Sequence, residues 1–144
     1  MARTKTRREH LQVVSKLDVV AQVQLWFRDT CRSLEGESAW VGNHCDRLGL
    51  ALTEGFTNAV RHAHAHLPPE TGIDIDLALG TDQVEIRIWD HGDPFNPELL
   101  PEPQQGELLD SGYGWFLLRR LADKVTYQRS QDGRNCLSIV ACRL

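Results

Sequence analysis

The sequence predicts one mixed α/β domain, and three observations lead to this prediction. A chain of 144 residues can bury a hydrophobic core without help from a metal or a disulfide. Segments 73–79 and 84–90 alternate apolar and polar residues, which is the period of a half-buried β-strand. Longer segments around them repeat apolar residues every three or four positions, which indicates amphipathic helices.

The N-terminal part predicts an arm, a strand and a helix. Residues 1–10, MARTKTRREH, form a basic run that we interpret as a solvated arm, so that 11–144 form the domain. Residues 11–17 are short and β-branched, which favours a strand. Asp18 stands where it can cap a helix that continues to about Leu34 and ends near Gly36.

A longer second helix is predicted from about residue 41 to residue 65. Its apolar residues fall on one side, and Pro68 and Pro69 stop it. That side consists of Leu48, Leu52, Phe56, Ala59 and Ala63. The two alternating segments that follow are joined by GTD, so they predict a β-hairpin with its apolar residues toward the core.

The C-terminal part predicts a third helix and a second hairpin. Residues 112–123 have three leucines on one side and two arginines on the other. Segments 124–130 and 135–144 flank the turn QDGRN, whose Asp-Gly pair is a hairpin signal.

Segment 91–111 differs from the rest of the chain. It contains four prolines and almost no apolar periodicity, and it is longer than most connections in a compact domain. It is therefore either disordered or a lid over a functional site. Its flanking motifs favour the lid.

Composition excludes some classes of partner. The chain has 16 Lys and Arg against 20 Asp and Glu, a formal charge of −4, so a general attraction to nucleic acid or to an anionic membrane is not expected. No apolar segment has the length of a signal peptide or a membrane span, and we expect a cytoplasmic protein. Cys31, Cys45, Cys136 and Cys142 form no CxxC pair, so we expect four reduced, mostly buried thiols.

Polar residues at two elements suggest a cleft. Glu54, Asn58 and Arg61 lie on one stripe of the second helix, roughly opposite its apolar side. Asp90 ends an apolar strand, so its carboxylate needs a donor from the protein or from a ligand. Gly92 follows closely and leaves room for a flat group beside the backbone.

Two glycines at the start of the third helix suggest a phosphate site. Gly112 and Gly114 stand where free backbone N–H groups and the helix dipole favour an anion. Taken alone, each of these features has a simpler interpretation: the polar stripe can be a solvated helix face, and the glycines can mark turns. Their combination is more specific than any one of them.

The histidines allow a second interpretation. His62 and His66 are one helical turn apart with His64 between them, and His44 and Cys45 lie earlier on the same helix. A metal site is conceivable. However, alternate histidines do not share one helix face, and the run lies at the helix end beside Pro68.

In chain order, the motifs LALTEGFTNAVRHAH, DHGDPFNP and GYGWFLLRRLADKV resemble those of the GHKL superfamily of ATP-binding proteins. The sequence is most similar to anti-sigma factor serine kinases of the RsbW and SpoIIAB type, from about Leu11 to the C-terminus. The resemblance implies an α/β two-layer sandwich with a mixed, mainly antiparallel sheet and helices on one face. It also implies that ATP lies between a helix and the lid.

The resemblance assigns roles to matching residues. It implies that Asn58 coordinates Mg²⁺ on the ATP phosphates, that Asp90 accepts a hydrogen bond from the adenine amino group, and that Glu54 is the catalytic base for a serine hydroxyl. Gly92 leaves space for the adenine ring. His62 matches the helix motif and supports the cleft.

The lid and its ends complete the implied nucleotide site. Pro94 belongs to the DxGxPF motif, and Gly112 and Gly114 give the phosphates backbone donors. Two positions depart from the family. Asp110 stands where arginine is common, and Asn135 with Cys136 replace paired threonines that often help to hold adenine.

The resemblance also implies partners. They are a sigma factor that is held inactive and a STAS-domain anti-sigma antagonist that is phosphorylated on serine; homodimers are common in the family. A nucleotide-gated binding protein with weak or no kinase activity is the alternative hypothesis.

Overall fold

The structure, a computed structural model, describes residues 7–33, 39–93 and 113–143. Within these residues five strands form one sheet, and all four pairs of neighbouring strands are antiparallel. The strands are β1 (Arg7–Val14), β2 (Gly72–Leu79), β3 (Gln83–Asp90), β4 (Lys124–Arg129) and β5 (Asn135–Cys142), in the spatial order β1-β2-β3-β5-β4.

Three helices accompany the sheet: α1 (Val20–Ser33), α2 (Ala39–Asn58) and α3 (Tyr113–Leu121). A single 3₁₀ turn, Leu17–Val19, precedes α1, and a π-helical turn, Ala59–Ala63, continues α2. The predicted α/β sandwich is confirmed. The two hairpins and the three helices also lie close to their predicted positions.

The core lies between the helices and one face of the sheet. The inward residues of β2, β3 and β5 are buried together with residues of all three helices. Helix α2 lies directly on the sheet because Gly55 has no side chain: a Cβ there would be 2.6 Å from Ile88 Cδ1 and 2.9 Å from Leu137 Cδ2. The site described below is built on the C-terminal end of this helix.

The opposite face of the sheet is polar. His10 Nδ1 lies 2.6 Å from Asp76 Oδ1, and Trp89 Nε1 donates to Asp76 Oδ2 at 2.9 Å. The Arg134 guanidinium lies 4.4 Å from the centre of the Trp89 ring. Cys136, on the same face, is half-buried, and burial raises the pKa of its thiol to about 11.

Three sequence predictions need correction near the N-terminus. Residues 7–10 were assigned to the arm but belong to β1, because their backbone pairs with residues 76–79 of β2. The strand consequently ends at Val14, before the predicted limit of residue 17. Asp18 is not a helix cap; it lies inside the 3₁₀ turn, which Lys16 precedes without a side-chain cap.

The expectation of four free thiols is also wrong. Cys31 of α1 and Cys45 of α2 form a disulfide, with their Cα atoms 6.5 Å apart. The packing of α1 against α2 brings these residues together, a contact that cysteine spacing alone does not reveal. Cys136 and Cys142 are free, and Cys142 is exposed.

In the described part of the chain, none of the helices combines the length and the apolar character that a membrane span requires.

Candidate functional site

Asp90 is the centre of a buried polar cluster at the end of β3. Asp90 is only 3% exposed, and its carboxylate accepts three hydrogen bonds. The Gly92 N–H donates to Oδ1 at 2.9 Å, the Asn135 side chain donates to Oδ1 at 2.8 Å, and the Tyr127 hydroxyl donates to Oδ2 at 2.8 Å. The predicted need of this carboxylate for donors is thus met in large part by the protein itself.

The Asn135 amide has one possible orientation. Its Nδ2 donates to Asp90 Oδ1 and, at 2.9 Å, to the Gly92 carbonyl oxygen. A flipped amide would place Oδ1 against two acceptors, so the nitrogen must face this way. Asn135 is fully buried, and its Oδ1 has no hydrogen-bond partner among the described residues.

Position 92 requires glycine because the π-helical turn that continues α2 approaches it closely. A Cβ at this position would lie 2.7 Å from the carbonyl carbon of Ala63 and 2.9 Å from its Cα. Because these are backbone atoms of the π-helical turn, they cannot move aside as a flexible side chain could. The expectation that Gly92 leaves space for a flat ligand stays a prediction; in the structure, the Ala63 backbone occupies the side of Gly92 on which a Cβ would stand.

His64, at the end of the π-helical turn, links that turn to the residue that follows β3. Its Nε2 accepts a hydrogen bond from the His91 N–H at 2.8 Å, so the proton of the neutral ring is on Nδ1. His64 is 3% exposed, and Nδ1 has no partner within the described residues. Burial lowers the pKa of His64, the Asp90 charge raises it in part, and His91 lowers it further.

The π-helical turn begins immediately after Asn58. The His64 N–H donates to the Ala59 carbonyl at 2.8 Å, a bond that spans five residues. Such turns inside α-helices are rare and occur frequently at functional sites. Ala63, which contacts Gly92, follows Asn58 by five residues, or roughly 7.5 Å at the rise of an α-helix, so the amide stands a little more than one turn before that contact.

Glu54 and Asn58 are both half-buried on α2. Neither side chain has a hydrogen bond or ion pair in the part of the chain described, and Asn58 does not cap the π-helical turn. A carboxylate and an amide oxygen without protein partners are available to a ligand. Arg61 and His62 follow them and are exposed.

The predicted phosphate and lid residues lie at the margin of the described chain. Gly114 is the second residue of α3, which begins at Tyr113, one residue after the predicted start at Gly112. Gly112, Pro94 and all of the predicted lid except residues 91–93 lie outside the described residues.

The histidine run does not assemble as the metal hypothesis requires. His62 and His66 are exposed, whereas His64 is buried against His91, with ring centres 6.1 Å apart. Cys45 is bonded to Cys31. Within residues 7–33, 39–93 and 113–143, no three His, Cys, Asp or Glu side chains form a group that could hold a metal.

The sequence indicated Asn135 only as a departure from the family, and the hydrogen bonds of Tyr127, Asn135 and His64 in this cluster were not predicted. A signal for Asn135 was present. It has the same parity as the inward residues Leu137, Ile139 and Ala141 of β5, so it is a polar residue at the end of an apolar stripe.

The polar cluster leaves hydrogen-bond acceptors for a ligand. Asp90 retains an acceptor position on Oδ2, since a carboxylate has roughly four such positions and the protein uses three. Asn135 Oδ1 is a further buried acceptor, and no described residue donates to it. A buried orphan acceptor is costly unless a ligand or a water satisfies it, and the amino group of adenine offers donors.

Comparisons with known proteins identify the family of the chain. Residues 13–141 match the model of the histidine kinase-like ATPase domain. Serine-protein kinase RsbW of Oceanobacillus iheyensis is 36% identical over 87 residues, which cover 54% of each chain. Serine-protein kinase RsbW of Bacillus licheniformis is 26% identical over 110 residues, 71% of this chain and 68% of that protein. The first of these matches thus spans about half the length of the relative.

A solved structure supports the fold. The RsbU and RsbW domains of Rv1364c from Mycobacterium tuberculosis align with a TM-score of 0.66 and 14% identity, over 96% of this chain and 33% of that one. On the match of its residues 13–141, the chain belongs to the histidine kinase-like ATPase domain family.

Proposed function

We propose that this protein is an ATP-dependent protein serine/threonine kinase that sequesters a sigma factor and phosphorylates a serine on a STAS-domain antagonist. The observation that carries the proposal is that the buried Asp90 cluster occurs together with two polar side chains of α2, Glu54 and Asn58, that have no protein partner among the described residues. The similarity to proteins named serine-protein kinase RsbW supports the same activity.

Each end of the nucleotide has candidate residues. Asp90 accepts a hydrogen from the adenine amino group through its remaining position on Oδ2, and this acceptor disfavours guanine, which offers an oxygen at the equivalent place. Asn58 supplies an amide oxygen to Mg²⁺, an ion that typically takes only one or two protein ligands beside phosphates and water. Gly114 lies in the first turn of α3, where backbone N–H groups favour phosphate, and we assign the same role to Gly112, which precedes that helix in the sequence.

ATP supplies the γ-phosphoryl group, and Mg²⁺ held by Asn58 would supply positive charge against the phosphates. Glu54 accepts the proton of the partner's serine hydroxyl while that oxygen forms the bond to phosphorus and ADP leaves. Glu54 can do this because no protein donor engages its carboxylate in the described residues. His62 supports the cleft from the exposed side of the helix end.

Two substitutions separate binding from transfer. Asp90→Asn is expected to weaken ATP binding roughly ten-fold or more. In this variant the new side-chain amide oxygen must face the donors Gly92 and Asn135. The amide NH₂ group then takes the place of Oδ2 and opposes the adenine amine, which is also a donor. Glu54→Gln is expected to keep ATP affinity and to lose phosphotransfer, with Glu70→Gln, an exposed residue, as the matched control.

The experiment is calorimetry with ATP and Mg²⁺, followed by incubation of captured partners with labelled ATP. Phosphoserine on a small STAS protein supports the kinase. Unchanged transfer by Glu54→Gln contradicts the base assignment. If the wild-type protein and Glu54→Gln both capture a sigma factor in an ATP-dependent way and neither transfers phosphate, the result supports the nucleotide-gated alternative. If the wild-type protein does not bind ATP, both proposed functions are contradicted.

A further inference from the structure

We propose that the Cys31–Cys45 disulfide is a reversible redox switch, which fixes α1 on α2 when it is oxidised and releases α1 when it is reduced. The reagents of the switch are a low-molecular-weight thiol and its disulfide. The effect on α1 is independent of the proposed function. A second effect, on the binding of a phosphoacceptor protein, rests on the proposed kinase function and deepens it.

The position of α1 depends on α2. Among the described strands and helices, α2 is the main neighbour of α1. Described contacts about one helical turn apart join the facing sides of the two helices: Gln24 with Thr53, Phe27 with Gly49, and Cys31 with Cys45. Helix α2 itself lies directly on the sheet through Gly55. Loss of the disulfide therefore affects the position of α1 rather than that of α2.

The disulfide is the strongest of these contacts. Gln24 Nε2 donates to Thr53 Oγ1 at 3.1 Å, but this hydrogen bond is exposed, so water competes for both groups. Val23 and Phe27 are buried in the core, at 0% and 2% exposure, and they keep α1 packed on the domain when the disulfide is absent. Reduction is therefore expected to loosen the end of α1 that contains Cys31 without unfolding the protein.

The bond is accessible to a thiol on one side. Cys45 is half-buried, whereas Cys31 is only 5% exposed, so a small thiol reaches the bond at the Cys45 sulfur. A chain of 144 residues is long enough to bury a core without a disulfide. In a reducing compartment, such as the cytoplasm expected from the sequence, disulfides are usually transient and redox-sensing. A bond that is accessible and not needed for folding suits a switch.

Thiol–disulfide exchange operates the switch in both directions. A thiolate attacks Cys45 Sγ, forms a mixed disulfide and breaks the bond to Cys31, whose thiolate takes a proton. A second thiolate attacks the external sulfur of the mixed disulfide, and the Cys45 thiolate leaves and takes a proton. Two small thiols and the protein disulfide thus give the protein dithiol and one small disulfide. Oxidation is the reverse, with the small disulfide as the oxidant.

Release of α1 changes the surface beside the proposed base. The contact of Gln24 with Thr53 places α1 one residue from Glu54, and the neighbouring Leu25 is 55% exposed. A phosphoacceptor protein that presents a serine to Glu54 therefore also meets α1. The hydrogen bonds of the Asp90 cluster come from β4, β5 and the residue after β3, and none of them involves α1. Reduction is therefore expected to weaken binding of the phosphoacceptor protein and to leave ATP affinity unchanged.

The first experiment follows α1 itself. The protein is compared as oxidised, after reduction with an excess of reduced glutathione, and after re-oxidation with glutathione disulfide; alkylation and mass spectrometry give the state of the bond. Hydrogen exchange in α1 is expected to be on the order of ten-fold faster in the reduced form and slow again after re-oxidation. Amides of β3 and β5 are expected to stay protected over the same first minutes.

The second experiment measures phosphotransfer to the STAS protein that is labelled in the capture experiment. Reduction of the wild-type protein is expected to raise the KM for this protein roughly five-fold or more and to keep kcat and ATP affinity within about two-fold. Cys45→Ser is expected to show the higher KM with and without reductant. Cys142→Ser, at an exposed free thiol, is the matched control and keeps the response of the wild-type protein.

The outcomes are distinct. A disulfide that resists reduced glutathione, or equal exchange of α1 in the oxidised and reduced forms, overturns the switch and leaves the kinase proposal intact. Equal KM values in both forms overturn its effect on the phosphoacceptor protein. Absence of phosphotransfer in every form, with α1 exchange that follows the state of the bond, supports the switch and contradicts the kinase. Both experiments compare forms of the wild-type protein, so they decide alone if Cys45→Ser does not fold, as judged by its thermal unfolding.

Discussion

Reduction of the Cys31–Cys45 disulfide is expected to lower the free energy of unfolding by about 3 kcal/mol. The two residues are separated by 14 positions, and the chain-entropy relation gives about 3 kcal/mol for a loop of this length at 25 °C. A small domain is stabilised by only about 5–15 kcal/mol in total. The bond between α1 and α2 therefore accounts for a large fraction of the expected stability.

The assay is urea denaturation with and without a phosphine reductant. With a typical slope of about 1–3 kcal/mol per molar urea, the loss moves the midpoint down by roughly 1–3 M. Cys45→Ala, at a half-buried position, is expected to show the low midpoint and to be insensitive to the reductant. Cys142→Ser, at an exposed free thiol, is the control and keeps the response of the wild-type protein.

A thiol count in denaturant provides an independent measurement. Cys136 and Cys142 are the free thiols, so two groups are expected to react before reduction and all 4 cysteines after it. Four reactive thiols in the unreduced protein, or equal midpoints with and without reductant, would refute the reasoning.

Three further predictions concern the close contacts of the site. Gly92→Ala is expected to lower the free energy of unfolding by about 1–3 kcal/mol because its Cβ meets the Ala63 backbone; Gly42→Ala, with nothing within 4 Å, is the control, and equal urea midpoints for the two variants would contradict the contact. Gly55→Val is expected to destabilise at least as much, since the added groups meet core side chains of β3 and β5; a wild-type melting temperature would show that α2 can lift from the sheet without cost. The pKa of His64 is lowered in the folded protein, so protonation favours unfolding: its contribution is present above the ordinary value of about 6.5 and is lost as pH falls below it. Urea midpoints at pH 7.5 and 5.5 are expected to differ more for the wild-type protein than for His64→Gln, and an equal difference would contradict the assignment.

Much of the fold could be predicted from the sequence because the spacing of apolar residues indicates directly which segments are strands and which are helices. The two central hairpin strands alternate without interruption, and each has one buried face. The N-terminal strand was placed too late because its first residues, Arg7 to His10, are all polar. They form a strand through backbone pairing with β2 and through the contact of His10 with Asp76, neither of which is an apolar signal.

The site was predictable only where the sequence around a single residue indicates its role. Asp90 stands out as a carboxylate at the end of an apolar strand. Its partner Asn135 lies 45 positions away in the sequence, and the two meet only because β3 pairs with β5 in one register. Tyr127 reaches the same carboxylate from β4. A sequence motif does not state which strands are neighbours, so the cluster had to be seen in the structure.

The two halves of the site differ in how they depend on folding. Asp90, Asn135 and Gly92 are buried and bonded to each other, so substitutions there alter stability and nucleotide affinity together. Glu54 and Asn58 have no protein partners in the described chain. Alanine at either position is therefore expected to change the unfolding energy by no more than about 0.5 kcal/mol while abolishing phosphotransfer or metal binding. A large loss of stability in Glu54→Ala would show that this side chain has a structural role, and would remove the main reason for treating it as the base.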